Sequence, residues 1–127
     1  MKTIIDPDKY NEMLMKWRGS LARIWIFDVS LTRLCLRLAR VREPDVLYIV
    51  GASCEHIKGP FSWKESEISV LLHEKVGGRL DLVVDKPAGF ELQCQGVVMV
   101  LGPAGELDKT LANFLRDDPF PQASIDF

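Results

Sequence analysis

The strongest constraint on the fold is a succession of strand-like segments between residues 21 and 101 that no helical pattern interrupts. The segments Leu21–Phe27 and Leu34–Leu38 alternate with a period of two, which is typical of strands. Val46–Val50 is continuously apolar, as expected for a strand buried on both faces. Strands that follow one another without intervening helices favour an antiparallel sheet, because short turns join only antiparallel neighbours.

Helical patterns occur only near the two ends of the chain. Asp6 is placed to cap a helix whose first residue is Pro7, and a stripe with helical spacing follows, made of Tyr10, Met13, Leu14 and Trp17. A second stripe follows the glycine-rich segment 102–105 and consists of Leu107, Leu111, Phe114 and Leu115. The sequence therefore predicts an α+β, two-layer domain: an antiparallel sheet of about six strands, with the N-terminal and the C-terminal helix packed on one face.

Length and composition fit one domain. The chain has 127 residues, of which 47% are hydrophobic and 27% charged, values that are ordinary for a globular protein with one core. We predict a single domain over residues 1–117 and an extended C-terminal tail over residues 118–127, where Pro119 and Pro121 lie.

Two hairpins are predicted. If residues 28–30 form the loop of the first, Ile24 lies opposite Leu34 on one face, and Trp25 lies opposite Arg33 on the other. Gly77-Gly78 predicts the second hairpin, because paired glycines suit the positive φ angles of a two-residue turn.

The charge distribution predicts a binding surface. Residues 16–42 contain seven basic residues and one acid, whereas residues 43–127 contain seven basic and fourteen acidic residues. In the predicted register one sheet face carries Phe27 together with Arg23, Trp25, Arg33 and Arg37. Arginine stacks on tryptophan, and both residue types are enriched in binding surfaces. The alternative is that these arginines meet the acidic half of the same chain.

Phe61 and Trp63 follow the Gly59-Pro60 turn and flank one serine. Two large aromatic residues in a loop indicate either a lid that packs back onto the sheet or an exposed contact patch. We include both in the predicted binding site, as possible anchors.

The alternative function is a metal- or thiol-dependent enzyme. Cys54 and His56 lie two positions apart, so both side chains would point to one face of a strand and could reach one ion. His73 or Cys94 would have to assist. The three cysteines are widely spaced and do not form a disulfide framework, so we expect a reducing, cytoplasmic environment.

These observations favour a small, non-catalytic binding or protein-interaction domain that needs no cofactor. We expect the partner to be an acidic protein or a small anionic ligand, and a homodimer formed through edge strands or through the open sheet face is a further option. The net charge of -2 argues against nucleic-acid binding. The N-terminus lacks an apolar signal segment, and no apolar run approaches membrane-spanning length, which argues against secretion and a membrane location.

Overall fold

The computed structural model describes residues 2–75 and 77–108. Its elements are β1 (Lys2–Ile4), α1 (Pro7–Lys16), β2 (Leu21–Asp28), β3 (Arg33–Ala39), β4 (Asp45–Ala52), β5 (His56–Lys58), β6 (Ser62–Trp63), β7 (Ser69–Lys75), β8 (Gly78–Asp85), β9 (Phe90–Cys94) and β10 (Gly96–Pro103). Residues 104–108 are helical and are called the second helix. The fold is mostly antiparallel sheet with two short helices, a roughly α+β arrangement.

Helix α1 lies where its sequence signals place it. Oδ1 of Asp6 accepts a hydrogen bond of 3.0 Å from the backbone N–H of Asp8, and Pro7 is the first helical residue. Gly19, with φ +81°, follows the C-terminal end of the helix. The apolar stripe of the helix and its C-cap is buried, and it consists of Tyr10, Met13, Leu14 and Trp17. The predicted N-terminal helix is confirmed.

The ten strands form two antiparallel sheets. The six-stranded sheet has the order β1-β10-β4-β3-β2-β6, and the four-stranded sheet has the order β5-β9-β8-β7. The prediction of a single sheet of about six strands is wrong. The apolar segment from Phe90 to Leu101 predicts one long strand, but the structure divides it. It breaks at Gln95 into β9 and β10, which belong to different sheets.

Strand β4 shows that the six-stranded sheet is covered on both faces. Leu47 and Ile49 belong to a buried cluster that also contains side chains of α1, β7, β8 and β9. Tyr48 and Val50 belong to a second cluster, together with Leu107 of the second helix. Because successive side chains of a strand point to opposite faces, the first cluster lies on an inner face and the second on an outer face.

The two helices lie against opposite faces of the six-stranded sheet. Tyr10 and Leu14 of α1 pack in the inner cluster, whereas Leu107 packs in the outer cluster. The prediction that both helices pack on one face does not hold for the described residues. The inner face is already covered by α1 and the four-stranded sheet. The second helix packs instead on the outer face, which is also apolar.

The β2–β3 hairpin differs in register from the predicted one. Ile24 pairs with Leu36 rather than with Leu34, so the strands are displaced by two residues. The loop covers residues 29–32 and is longer than the three residues assumed from the sequence. An irregularity after Ile24 leaves Trp25 without a register partner, which changes the face on which the following residues lie.

One side chain of α1 bonds to the edge of the four-stranded sheet. Nδ2 of Asn11 donates to the carbonyl oxygen of Val70 at 2.9 Å, and Oδ1 of Asn11 accepts from the N–H of Val70 at 2.8 Å. A side-chain amide offers the same donor and acceptor as a peptide group. Asn11 therefore forms with the backbone of Val70 the two hydrogen bonds that a neighbouring strand would form.

Some predictions concern residues outside the described part of the chain. The predicted C-terminal helix from Leu111 onward and the predicted tail over residues 118–127 lie there, so the domain boundary at residue 117 stays a prediction. Within residues 2–75 and 77–108, no helix combines the length and the apolar character that crossing a membrane requires.

Candidate binding site

The outer face of the six-stranded sheet holds the predicted Arg/Trp surface, but the chain itself covers much of it. The guanidinium carbon of Arg37 lies 4.5 Å from the ring centroid of Trp25. Nε and Nη2 of Arg37 donate to the two carboxylate oxygens of Asp108, at 3.2 and 3.1 Å. The hydroxyl of Tyr48 donates to the same carboxylate. The charge of Arg37 is thus matched by an acid from the acidic half of the chain.

The other two predicted arginines differ in exposure. Arg33 is only 1% exposed and lies opposite Asp28 in the hairpin register. Arg23 lies opposite Arg37 and is exposed. Among Arg23, Arg33, Arg37 and Trp25, only Arg23 is exposed. The structure therefore does not bring them together as one open surface.

Phe61 and Trp63 have different environments although one residue separates them. The indole N–H of Trp63 donates to Asp85 at 2.7 Å, and its ring stacks on Phe90 with centroids 4.7 Å apart. Trp63 therefore packs as part of a lid. Phe61 is 81% exposed, while its carbonyl oxygen accepts a hydrogen bond of 2.8 Å from the N–H of Ile24. The backbone at Phe61 is held in place, and its ring is left in solvent.

The residues of the predicted metal site do not converge. His56 lies on β5 and His73 on β7, which are opposite edge strands of the four-stranded sheet. Three strand spacings separate them, a distance of about 14 Å. Ligands of one zinc ion bind at about 2 Å from it, so these two imidazoles do not share an ion with Cys54. Among the described residues, no group of three or more His, Cys, Asp or Glu side chains is placed to hold a metal.

Two of the three free cysteines lie close together behind β4. A Cβ placed on Gly51 would be 3.4 Å from the Sγ of Cys54 and 3.2 Å from the Sγ of Cys94. Burial raises the pKa of Cys54 to about 11 and the pKa of Cys94 to about 12. Because the thiolate is the nucleophile, a raised pKa suits a structural thiol better than a catalytic one.

An open cavity of about 470 Å³ lies between the two sheets and is called the inter-sheet pocket. Its walls include Ile24 of β2, Leu34 of β3 and Leu92 of β9. Cys54 also lines it, and this residue lies beside Gly51. Only a glycine fits there without displacement, because a Cβ would lie 3.1 Å from Leu92. The two sheets therefore approach closely at the back of the pocket.

Three exposed apolar side chains form the rim of the inter-sheet pocket. Phe27, Ile57 and Phe61 are 48%, 41% and 81% exposed, and all three line it. Exposed aromatic side chains gathered around an apolar cavity are a common mark of a binding site. The sequence singled out Phe61 but not Ile57, and it placed Phe27 on the outer face. The irregularity after Ile24 turns Phe27 to the inner face, opposite Leu34, and no local sequence signal shows that irregularity.

The polar residues of the pocket come from one segment of the chain, residues 54–56. Glu55 and His56 line the cavity and are exposed. The carboxylate of Glu55 accepts a hydrogen bond of 3.0 Å from Nε2 of Gln95. Cys54, the third residue of this segment, donates through its thiol to the carbonyl oxygen of Gly51 at 3.4 Å. The rest of the pocket lining is apolar.

Comparison with known proteins finds no family model, no curated protein and no solved structure that matches the chain significantly. The function is therefore argued from the residues of the site alone.

Proposed function

We propose that this protein is a non-catalytic binding domain that holds a small, largely apolar molecule in the inter-sheet pocket. The observation that carries the proposal is the combination of a concave apolar cavity with exposed phenyl rings at Phe27 and Phe61. Leaving such rings in water costs free energy that a bound apolar ligand would recover.

The dimensions of the pocket favour a small molecule. Its volume of about 470 Å³ falls in the range of ordinary ligand sites, which is roughly 300–1,000 Å³. Most of its lining is apolar, and its charged and titratable residues, Glu55 and His56, are adjacent in the chain. The ligand that fits best has an apolar body and one polar end, which would face Glu55 and His56.

The proposed class of function, a binding domain, is the one that the sequence favours. The proposed site differs, since it is the inter-sheet pocket instead of the Arg/Trp surface. The sequence places binding at the Arg/Trp surface, where Arg37 is already paired with Asp108 and Arg33 is buried. Binding there would have to displace a carboxylate held by two hydrogen bonds. The inter-sheet pocket requires no such displacement.

The enzyme alternative receives less support from the same geometry. Cys54 and His56 both line the pocket, but His73 lies at the opposite edge of the four-stranded sheet. Burial raises the pKa of Cys54 to about 11, which keeps its thiol protonated near neutral pH. A nucleophile would need a lowered pKa or an adjacent base oriented by a third group.

Binding of the neutral fluorophore N-phenylnaphthylamine tests the proposal. The wild-type protein should enhance its fluorescence in a saturable manner. Phe61→Ala and Phe27→Ala should each weaken binding about tenfold, equivalent to about 1.4 kcal/mol. Met15→Ala is the matched control, because Met15 is 69% exposed on α1 and does not line the pocket.

Two results would overturn the proposal. One is a folded wild-type protein that does not bind the probe, and the other is equal affinity in both phenylalanine variants and the control. Stoichiometric zinc in the purified protein, lost on Cys54→Ser or His56→Ala, would favour the enzyme alternative instead.

A further inference from the structure

We infer that a second site, separate from the inter-sheet pocket, binds the carboxylate of small organic acids through Arg40. The site is a surface cavity of about 630 Å³, called the Arg40 groove. Leu21 of β2 and Arg40 after β3 line one part of it, and Lys64 and Glu65 line another. It has no lining residue in common with the inter-sheet pocket.

The core of the protein holds the guanidinium group of Arg40 in position. The guanidinium carbon lies 4.3 Å from the ring centroid of Trp17, which is only 4% exposed. Trp17 is the C-cap residue of α1 and belongs to the inner cluster, so the ring is a rigid platform. An arginine fixed in this way loses little conformational freedom when it binds a ligand.

The side chain of Arg40 has no hydrogen-bond or ion-pair partner within the described part of the chain. Its Nε is buried and has no hydrogen-bond acceptor, and its guanidinium takes part in none of the ion pairs described for residues 2–75 and 77–108. No acid of the described residues neutralises the guanidinium, and Arg40 lines the groove, so its positive charge is available to an anion that enters there. A planar carboxylate is the group that matches the fork of a guanidinium.

The rest of the groove indicates what the carboxylate is attached to. Lys64 adds a second positive charge, and Glu65 is the single acid of the lining, so the lining has a net charge of +1. Leu21 and Val41 add apolar surface, and Val41 is 92% exposed. The ligand class is therefore a monocarboxylate with a compact apolar body, a form of the small anionic ligand that the sequence predicts.

Titration with sodium benzoate tests this inference, with benzamide as the neutral compound of the same shape. Amide chemical shifts of the isotope-labelled protein report the position and the affinity of binding. Benzoate should shift the amides of Ala39, Arg40 and Val41 in a saturable manner, and benzamide should bind at least fivefold more weakly. Added sodium chloride should weaken benzoate binding, because screening reduces the attraction between charges.

The variants distinguish Arg40 from a general basic surface. Arg40→Gln should weaken benzoate binding at least fivefold, and Lys64→Gln about twofold. Arg42→Gln is the matched control, since this exposed neighbour does not line the groove, and it should leave the affinity unchanged. If Arg40→Gln does not fold, Arg40→Lys keeps the charge without the fork and should still lose at least twofold.

Four outcomes would overturn the inference. They are benzoate shifts away from residues 39–41, equal affinity for benzamide, equal loss in the Arg42→Gln control, and inorganic phosphate binding more tightly than benzoate. The last result would assign the groove to phosphate groups. N-phenylnaphthylamine binding at the inter-sheet pocket should not respond to benzoate, so either site can fail without the other.

Discussion

Arg37 and Arg40 each stack on a tryptophan ring, and they differ in what else they contact. Arg37 lies 4.5 Å from Trp25, and Arg40 lies 4.3 Å from Trp17. Arg37 also bonds the carboxylate of Asp108 through two nitrogens, whereas Arg40 has no acid partner among the described residues. The indole fixes the guanidinium in both places. The carboxylate decides whether the positive charge remains available to a ligand.

The difference arises from the elements that cover each arginine. The second helix follows β10 across the outer face of the six-stranded sheet and brings Asp108 to Arg37. No helix covers the Arg40 groove in the described part of the chain, and its one acid, Glu65, makes no ion pair with Arg40. Arg37 and Asp108 are therefore a structural ion pair, called the structural pair. Arg40, by contrast, has the properties of a binding site.

The largest effect should come from removing the carboxylate of the structural pair. Asp108→Ala should lower the free energy of unfolding by about 2–3 kcal/mol, because it leaves a largely buried guanidinium and the Tyr48 hydroxyl without their acceptor. The side chains of Arg37 and Asp108 are 19% and 32% exposed, so part of this cost is relieved by solvent. Urea denaturation measures the change. A loss below that of Arg40→Ala would contradict the comparison.

A smaller effect should appear at alkaline pH, because a buried thiol lies beneath the structural pair. Burial raises the pKa of Cys35 far above the ordinary value of 9.0, Asp108 raises it further, and Arg37 partly opposes them. Above pH 9 the unfolded chain loses this proton and the folded chain keeps it, so stability is full below pH 9 and falls as pH rises.

The alkaline effect is measured as the difference between unfolding free energies at pH 7 and pH 10. At pH 10 one thiol contributes about 1.4 kcal/mol to the fall. Cys35→Ala should show a fall that is smaller by this amount, whatever its stability at pH 7. Val41→Ala, in the Arg40 groove, is the control and should show the wild-type fall. Equal falls in both variants would mean that Cys35 ionises in the folded protein.

Removing the second stacked arginine should cost less. Arg40→Ala should lower the free energy of unfolding by about 0.5–1 kcal/mol, the value of a cation–π contact without an ion pair. The double variant with Asp108→Ala should be additive within about 0.5 kcal/mol, since the two arginines have no common partner. A loss above 2 kcal/mol, or clear coupling in the double variant, would show that Arg40 has a structural partner.

The smallest effect is expected at an arginine with an acid but no indole. Arg18 lies 3.5 Å from Glu67, and their side chains are 59% and 47% exposed. Exposed ion pairs contribute little, so Arg18→Ala should change the free energy of unfolding by less than about 0.5 kcal/mol. A loss equal to that of Asp108→Ala would show that burial does not distinguish these pairs. The same urea titrations provide the measurement.

The sequence predicts the local parts of the fold better than the long-range ones. Helix α1 follows from signals that lie within a few residues, namely the Asp6 cap and the spacing of its apolar stripe. The strands are also largely found, because period-two alternation is local. The division into two sheets is not found, because it depends on a break at Gln95 between two apolar segments that look continuous in the sequence.

The candidate sites were harder to predict, because they depend on strand register and on which distant elements pack over each face. The sequence shows that arginines and tryptophans are abundant between residues 16 and 42, and both stacked pairs come from this segment. Which of the two stacked arginines is left without an acid depends on Asp108, which lies more than sixty residues further along the chain. The inter-sheet pocket requires Phe27 on the inner face, and the irregularity after Ile24 that places it there has no local signal.

The two hydrogen bonds between Asn11 and Val70 join α1, whose apolar stripe is already buried, to the edge of the four-stranded sheet. An aspartate in its place would have nearly the same shape but would present acceptors only, so its carboxylate would face the carbonyl of Val70. The helix would then loosen, and the guarded end of an edge strand would open to pairing with other chains. Replacing one nitrogen by oxygen in Asn11→Asp would therefore both weaken the packing of the helix and raise the risk of aggregation.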